Sequence, residues 1–382
     1  MGRYVHKFIT NSEYESFTNG ESYIESFVSY TVEKDEVDYN PEHAKFIPLT
    51  FKIISAGNIV WQLNNAQGTA KTIEYKKNNS EWTSITSTTE GVNIPVVKND
   101  IVQFRGDNTA YCDNESKCNT FSTSTCQFIV YGNIMSLISS TNFGQLKRLS
   151  TGHTFRKLFY NCSGLVGAEN LILPATNISA SCYAYMFYAT NITITPKLPA
   201  PRVESNCYEG MFKNCINLTT ISDFSATGTT SVSYSGCRYM FKGCTNLVNI
   251  QNMTLNASLN WAFGSMFEGC ISLIDASPIT LTDCSDYSYS NMFKDCTSLT
   301  TSPTIAAIDT ISANCCYLMF DGCTNLNYIK ALFINIGSGN PLSSWVRDVS
   351  PTGTFVKNTN ANWDVVGTNG VPSGWTIEYA SE

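Results

Sequence analysis

Cysteine is the residue type with the greatest capacity for chemistry in this chain, which has 15 of them among 382 residues. A thiol can bind a soft metal, form a disulfide or act as a nucleophile, depending on its surroundings. The number of cysteines is odd and most recur at a repeat spacing rather than in pairs, so we expect buried thiols. Cys112, Cys118 and Cys126 share one loop with no His and no Cys-x-x-Cys pair. Because zinc needs four well-placed ligands, we expect shielded thiols there too.

The other residues that could support catalysis form no recognisable set. His6, His43 and His153 stand apart from any Ser or Cys motif that would pair a nucleophile with a base. There is no Gly-rich phosphate loop and no metal-ligand spacing. Asp283 and Asp286 could serve a glycosidase, but one pair among 31 acidic residues is weak evidence. We expect no enzyme, no catalytic residue, no cofactor and no metal site, with a glycan-cleaving enzyme as the alternative of that class.

Charge and hydropathy disfavour two classes of partner. The chain has 24 basic and 31 acidic residues and a net charge of −7, and we expect no cluster of Lys or Arg anywhere in it. Nucleic-acid binding depends on neutralising phosphates, so it is disfavoured. No segment approaches the roughly 20 apolar residues of a membrane span, and the start of the chain lacks the apolar core of a signal peptide. We expect no membrane insertion, and folding in a reducing cytoplasm.

A seven-fold repeat organises the middle of the chain. A Met-Phe pair, two turn residues, a Cys and then a Leu recur every 25 to 29 residues, within the spacing of leucine-rich repeats. Thr190 replaces the Cys once, and each Cys is interpreted as a small buried rung. The Phe and Cys columns predict the repeat core: Phe159, Phe187, Phe212, Phe241, Phe267, Phe293 and Phe320, with Cys162, Cys215, Cys244, Cys270, Cys296 and Cys323.

Each unit is interpreted as one coil of a solenoid with a short strand and a short helix or turn. Small and bulky residues four and three positions before the Met predict an inward-facing helical turn. The second residue after the Phe is mostly Asn, Gly or Asp, which tolerate a left-handed backbone. One coil cannot bury its own apolar face, so neighbouring coils must stack to bury it. The strand of each coil is predicted by the Leu column: Leu165, Leu218, Leu247, Leu273, Leu299 and Leu326.

The two flanks of the repeat have other patterns. A hairpin turn is predicted at Lys77-Asn78-Asn79-Ser80-Glu81. A C-terminal β cap with strands at 354–356 and 375–377 is predicted over the open end of the solenoid, where the aromatic residues are Trp345, Phe355, Trp363 and Trp375. Short alternating runs predict an antiparallel β-sandwich at 46–53, 58–63, 71–75, 82–85, 92–97, 101–104 and 127–131.

The predicted fold is therefore mainly β, a β-sandwich followed by a leucine-rich-repeat solenoid. Length varies most between the Leu column and the next Cys/Tyr pair, as in 222–231, so we expect the recognition face there. The first forty residues are acidic and aromatic, and either pack on their own protein or insert into a partner assembly. The predicted domains are an arm at 1–40, the sandwich at 41–135, a solenoid of about seven coils at 136–340 and the cap at 341–382.

The repeat motif carries a family resemblance. The unit Cys207-Tyr208-Glu209-Gly210-Met211-Phe212-Lys213-Asn214-Cys215-Ile216-Asn217-Leu218 resembles the BspA-type leucine-rich repeats of Bacteroidales cell-surface proteins. The resemblance covers about residues 45–382 and implies an adhesin or ligand-binding surface with no catalytic residues. The proline-rich strand segment of that family survives only as Pro196-Lys197-Leu198-Pro199-Ala200, so a shared ligand is not implied.

The first forty residues carry a second resemblance. His6-Lys7-Phe8, residues 25–31 and residues 37–40 resemble the leading segment of virion proteins of Bacteroidales phages. This implies a virion surface protein, a head or tail fibre or a decoration subunit, that adheres to a host glycan or protein. By analogy with fibres we expect a homotrimer; the alternative is an exported bacterial adhesin at the cell surface. The arm would join other virion proteins through Tyr4, Phe8, Phe27, Tyr30 and Tyr39.

Overall fold

A computed structural model describes residues 44–224 and 232–380. Within these ranges the chain is mainly β, as predicted, with a β-sheet region followed by a β-solenoid. From residue 45 onward the described chain holds two short 3-10 helices, Ile134–Leu137 and Phe143–Gln145, and no α-helix. The expected anchoring residues fall outside the described residues: Tyr4, Phe8, Phe27, Tyr30 and Tyr39.

Nine strands form two sheets in the first region: β1 (Leu49–Ile53), β2 (Gly57–Leu63), β3 (Thr72–Lys77), β4 (Thr83–Thr86), β5 (Val92–Val96), β6 (Ile101–Arg105), β7 (Asn119–Thr120), β8 (Phe128–Asn133) and β9 (Leu165–Ile172). The six-stranded sheet has the order β4-β3-β6-β1-β8-β9, and the three-stranded sheet the order β5-β2-β7. Each of the seven predicted runs overlaps a strand. The predicted turn between β3 and β4 contains Asn78, whose φ is 52°.

Aromatic side chains fill the space where the two sheets meet. The ring centroid of Phe121 lies 4.8 Å from that of Trp61 in β2 and 5.1 Å from that of Phe104 in β6. All three residues are fully buried. Because large rings remove much apolar area from water, this cluster stabilises the contact between the sheets.

The sheet region continues directly into the solenoid. β9 follows the first Phe-Cys unit of the repeat, yet it pairs in parallel with β8. Tyr111 N donates to Thr154 O at 2.9 Å, and Phe121 N donates to Leu158 O at 2.8 Å. The first region therefore covers the first coil and shields its apolar end from water.

A parallel sheet runs along one side of the solenoid. Six of its strands are ordered β10-β11-β12-β14-β16-β17 and joined by five parallel pairings, which makes about five turns. β13 and β15 form a second, two-stranded sheet. The strand bounds are β10 (Met253–Leu255), β11 (Ile279–Leu281), β12 (Thr301–Ile305), β13 (Thr310–Ile311), β14 (Tyr328–Ala331), β15 (Asn335–Ile336), β16 (Thr354–Asn358) and β17 (Thr376–Ala380).

The recurring positions of the repeat take similar places relative to the strands. Leu299 and Leu326 are fully buried two residues ahead of β12 and β14, whereas Leu165 is the first residue of β9, so the Leu column lies at or just before the start of these strands. The strands predicted at 354–356 and 375–377 overlap β16 and β17, which extend the solenoid sheet in parallel.

The other side of each coil is a run of turns, so of the expected short helix or turn the structure shows the turn. Every fourth residue has a left-handed backbone, as in Ser235, Tyr239 and Gly243, with φ of 52°, 60° and 75°. Such residues interrupt a right-handed α-helix. The turn position after the Phe is left-handed in all seven units, as its residue types predicted, while the two other left-handed columns were not predicted.

Hydrogen bonds between coils replace those of a helix. Met240 N donates to Cys237 O in its own coil at 3.2 Å, whereas Phe241 N donates to Met266 O of the next coil at 2.9 Å. The N–H groups alternate in this way along the turn side, so the buried backbone is satisfied. These bonds offset the conformational cost of the left-handed residues, which is on the order of 1–3 kcal/mol each.

The Phe column forms one stack along the solenoid axis. All seven rings are fully buried, and successive centroids lie 5.4 to 5.8 Å apart. The stack reaches Phe121 of the sheet region at one end and Trp345 at the other, at 5.8 and 5.9 Å. One continuous aromatic core therefore joins the sheet region to the C-terminal segment.

Candidate ligand-binding surface

The Cys column is a ladder of hydrogen bonds as well as part of the core. Burial raises the pKa of Cys162 and Cys296 to about 12, so these thiols stay protonated and are poor nucleophiles. Thr190, which replaces the Cys in one coil, donates its hydroxyl to Phe187 O of its own coil at 3.0 Å. In five coils the thiol donates to the carbonyl oxygen of the Phe in the preceding coil, at 3.0 to 3.3 Å. The pairs are Cys215–Phe187, Cys244–Phe212, Cys270–Phe241, Cys296–Phe267 and Cys323–Phe293.

Four cysteines differ from the expected thiols. Cys112 is disulfide-bonded to Cys118, and Cys284 to Cys315, so the prediction of free thiols is wrong at these positions. The other eleven cysteines are free and buried. No sequence pattern indicated the Cys284–Cys315 disulfide, because Cys315 stands in a repeat column and Cys284 does not. Only the stacking of coils brings these two residues together.

Three sulfur atoms converge near the C-terminal coils. The Sγ atoms of Cys284, Cys315 and Cys316 lie within 4.8 Å of one another, and all three residues are buried. Three thiolates are one fewer than a structural zinc site takes. With two of them in a disulfide, one free thiol is left. The cluster is therefore best described as a covalent link between neighbouring coils.

In the part of the chain that the structure describes, the residues considered for catalysis do not come together, and His6 and His43 lie outside it. Asp283 Oδ1 accepts a hydrogen bond from Cys284 N at 2.7 Å. His153 occupies a left-handed turn, burial lowers its pKa, and its Nδ1 has no partner among the described atoms. Within the described chain neither His153 nor Asp286 hydrogen-bonds through its side chain to another candidate group. The arrangement provides no nucleophile and base.

A shallow polar cleft lies where the sheet region meets the first coils. Its volume is about 530 Å³, and its lining is uncharged, with hydroxyl and amide groups from Ser122, Thr123, Ser124, Thr125, Gln127, Ser163, Gly164 and Asn191. Asn191 also connects the cleft to the next coil, because its Oδ1 accepts from Asn217 Nδ2 at 3.1 Å. The cleft offers hydrogen bonds and no charge.

A row of cations and aromatic rings runs along the turn side of four consecutive coils. We call it the cation–aromatic stripe, and it consists of Lys213, Arg238, Tyr239, Lys242, Trp261 and Tyr287. Arg238 Cζ lies 4.4 Å from the ring centroid of Tyr239 and 4.3 Å from that of Trp261. Trp261 stacks on Tyr287 with centroids 4.4 Å apart and planes 8° apart. All six residues are partly exposed.

Two lysines approach the same tyrosine of the stripe. Lys213 Nζ and Lys242 Nζ lie 5.1 and 5.4 Å from the Tyr239 ring centroid. Burial lowers the pKa of Lys213, and the neighbouring positive charge of Lys242 lowers it further. Three cations therefore share one ring, an arrangement in which each cation–π contact is favourable but the cations repel one another.

The stripe exists because coils stack. Lys213 and Lys242 both follow the Met column by two positions, and Trp261 and Tyr287 both precede it by five. Residues 25 to 29 apart in sequence thus become neighbours. The expectation of no Lys or Arg cluster is therefore wrong, because stacking brings three cations to one tyrosine. Alignment of the outward-facing columns, rather than the core columns, would have found this group. Residues 225–231 of the expected recognition loop lie outside the described residues.

No protein-family model, no curated protein and no solved structure matches this chain. The described residues contain no helix that is both long enough and apolar enough to cross a membrane.

Proposed function

We propose that this protein is a non-enzymatic virion surface protein, a fibre or decoration subunit, that presents a leucine-rich-repeat surface of the BspA type for host-surface adhesion. The observation that supports this most is the cation–aromatic stripe, a binding surface spread over four coils. The thiols, in contrast, are buried in the core or joined in disulfides.

Each part of the chain has a place in this proposal. The arm at 1–40 joins other virion structural proteins. The sandwich at 41–135 acts as a spacer, the leucine-rich-repeat solenoid at 136–340 presents the surface, and 341–382 caps its end. The protein assembles as a homo-oligomer, a trimer by analogy with fibres. It binds no cofactor and no nucleic acid, and it does not insert into a membrane.

Two measurements on the full chain test the proposal. Deleting residues 1–40 should leave a folded protein that still binds host cells and no longer incorporates into particles. Purified full-length protein should compete with particles for adsorption to the host. Incorporation without the arm would contradict the anchoring role, and unchanged adsorption in excess protein would contradict the adhesive role.

The second candidate is an exported bacterial adhesin, and the two disulfides favour it. Cys112–Cys118 and Cys284–Cys315 would persist in an oxidising environment and be rare in a cytoplasmic protein. A native gene that lies behind a lipoprotein leader, rather than among capsid and tail genes, would select this candidate. In the virion case the disulfides should be reduced in protein taken from host cytoplasm and oxidised in released particles.

A further inference from the structure

The centre of the cation–aromatic stripe carries excess positive charge in an acidic protein. Lys213, Arg238 and Lys242 surround Tyr239, and the nearby carboxylates are Glu209 and Glu268. Three cations against two carboxylates leave one net positive charge, whereas the whole chain has a net charge of −7. Since partly buried cations repel one another in a medium less polarisable than water, this place is suited to an anionic group.

The donors of Arg238 are not used by any other residue that the structure describes. Its guanidinium packs on Tyr239 and Trp261 and has no hydrogen-bond or ion-pair partner among the described residues, with Nε buried and unpaired. Arg347 differs, because its Nε and Nη2 donate to the two carboxylate oxygens of Asp321 at 2.6 and 2.8 Å. Stacking engages the faces of a guanidinium and leaves its in-plane N–H groups for a carboxylate or sulfate.

The two lysines of the stripe differ from each other in whether their ammonium group has a partner. Lys242 Nζ is paired with Glu268 at 2.8 Å. Lys213 Nζ has no hydrogen-bond or ion-pair partner among the described residues, although it lies 5.1 Å from the ring of Tyr239. Arg238 and Lys213 are therefore the two cations with donors to spare, and they approach the same ring from two consecutive coils.

We infer that the cation–aromatic stripe binds an acidic polysaccharide, whose carboxylate or sulfate group pairs with Arg238 and Lys213. Its sugar rings lie along the edges of Tyr239, Trp261 and Tyr287, because Arg238 and Tyr287 already pack on the ring of Trp261. This inference rests on the proposed adhesive function and specifies its ligand class. A carboxylate and a sulfate each offer two oxygens that can accept two N–H donors of one guanidinium, so both sources are included.

Two features favour a polysaccharide over an acidic polypeptide. An extended peptide gains affinity by pairing with a free strand edge, but the turn-side backbone is already bonded from coil to coil, as between Phe241 N and Met266 O. The chain is rich in Ser, Thr and Asn, and only 14% of it is charged. Hydroxyl and amide groups match the hydroxyl groups of a sugar chain.

The test is a binding titration of the full-length protein with four probes: polygalacturonate, dextran sulfate, neutral dextran and poly-glutamate. We expect at least one of the two acidic polysaccharides to bind, in a manner that weakens as salt screens the charges, and we expect neutral dextran not to bind. Equal binding of poly-glutamate would overturn the polysaccharide class. Failure of both acidic polysaccharides to bind would overturn the inference altogether.

Variants then locate the site. Arg238→Gln should weaken binding about tenfold, the loss that follows from one charged hydrogen-bonded contact. Lys213→Met should weaken it in the same direction. The matched control is Arg202→Gln, which removes an exposed arginine that is paired with Glu204 at 3.4 Å, and binding should not change. Equal affinity of Arg238→Gln and wild type would overturn the assignment.

Two further measurements keep the interpretation unambiguous. Circular dichroism and thermal unfolding establish that each variant is folded, and Arg238→Lys, which retains the charge, should bind better than Arg238→Gln. Adsorption of the wild-type protein to host cells separates the two proposals. Host binding without acidic-polysaccharide binding leaves the adhesive function standing and removes this inference, whereas no host binding removes the adhesive function itself.

Discussion

The thiol of Cys215 donates to the carbonyl oxygen of Phe187 at 3.0 Å and so joins two consecutive coils inside the core. The same oxygen accepts the backbone N–H of Thr190 at 3.2 Å, which closes a turn in its own coil. One carbonyl therefore takes part in a turn and in a contact between coils. An apolar residue of similar size in the Cys column would fill the space but lack the donor.

This relationship predicts how the ladder responds to substitution. Cys270→Ala removes a donor to Phe241 O and leaves a small cavity, and should lower the free energy of unfolding by about 1–2 kcal/mol. Cys270→Thr should fill the space but also leave Phe241 O without its donor, because Thr190, the threonine of this column, donates its hydroxyl to Phe187 O of its own coil. Urea denaturation followed by circular dichroism measures both. An alanine variant as stable as wild type would contradict the contribution assigned to the ladder.

The Phe stack should be the most sensitive part of the solenoid. Phe241→Ala removes a fully buried ring that stacks on Phe212 and Phe267 at 5.5 Å, and should cost roughly 3–5 kcal/mol. Tyr234→Ala, at a residue that is 49% exposed, is the control and should have little effect. The shift in the denaturation midpoint is the measurement. Similar shifts for the two variants would show that the stack does not carry the stability assigned to it.

Thiol counting tests the disulfides. The native protein should react with few equivalents of an alkylating reagent, because its eleven free thiols are buried. Denatured without reductant it should take up eleven, and after reduction all 15. Mass spectrometry gives the count and locates the protected residues, expected to be Cys112, Cys118, Cys284 and Cys315. Uptake of all 15 before reduction would mean that the bonds are absent in solution.

A buried carboxylate links stability to acid pH. Burial alone would raise the pKa of Asp321, but hydrogen bonds from Arg347 and Lys294 outweigh it and lower the pKa. A lowered folded-state pKa means that the stabilisation is present above the unfolded value, about 3.9, and is lost as pH falls through the folded value. Asp321→Asn should therefore be less stable than wild type at neutral pH and approach it in acid.

Thermal unfolding at neutral pH and at a pH below the unfolded-state value measures this difference. The matched control is Asp348→Asn, because Asp348 approaches the same arginine at 3.9 Å but its side chain is 74% exposed. That variant should show little change at either pH. A constant gap between Asp321→Asn and wild type across the pH range would disprove the linkage.

Local patterns determined the strands, the order of the two regions and the identity of the core columns. Alternation in 46–53 or 101–104 indicates a strand because side chains point to opposite faces with a period of two. The columns of the repeat are likewise readable, since every coil must bury the same positions against its neighbours. Even the left-handed turn after the Phe was indicated by its Asn, Gly and Asp residues.

Contacts between coils decided the rest, because their energies belong to pairs of residues far apart in sequence. The turn side avoids a helix because its N–H groups, such as that of Phe241, find acceptors in the next coil. Cys284 meets Cys315, and β8 meets β9, through stacking and sheet continuity. Lys213 and Arg238 come to share one tyrosine in the same way. The sequence alone shows the recurring core positions of this solenoid, whereas only the stacking of its coils creates the cation–aromatic stripe on its surface.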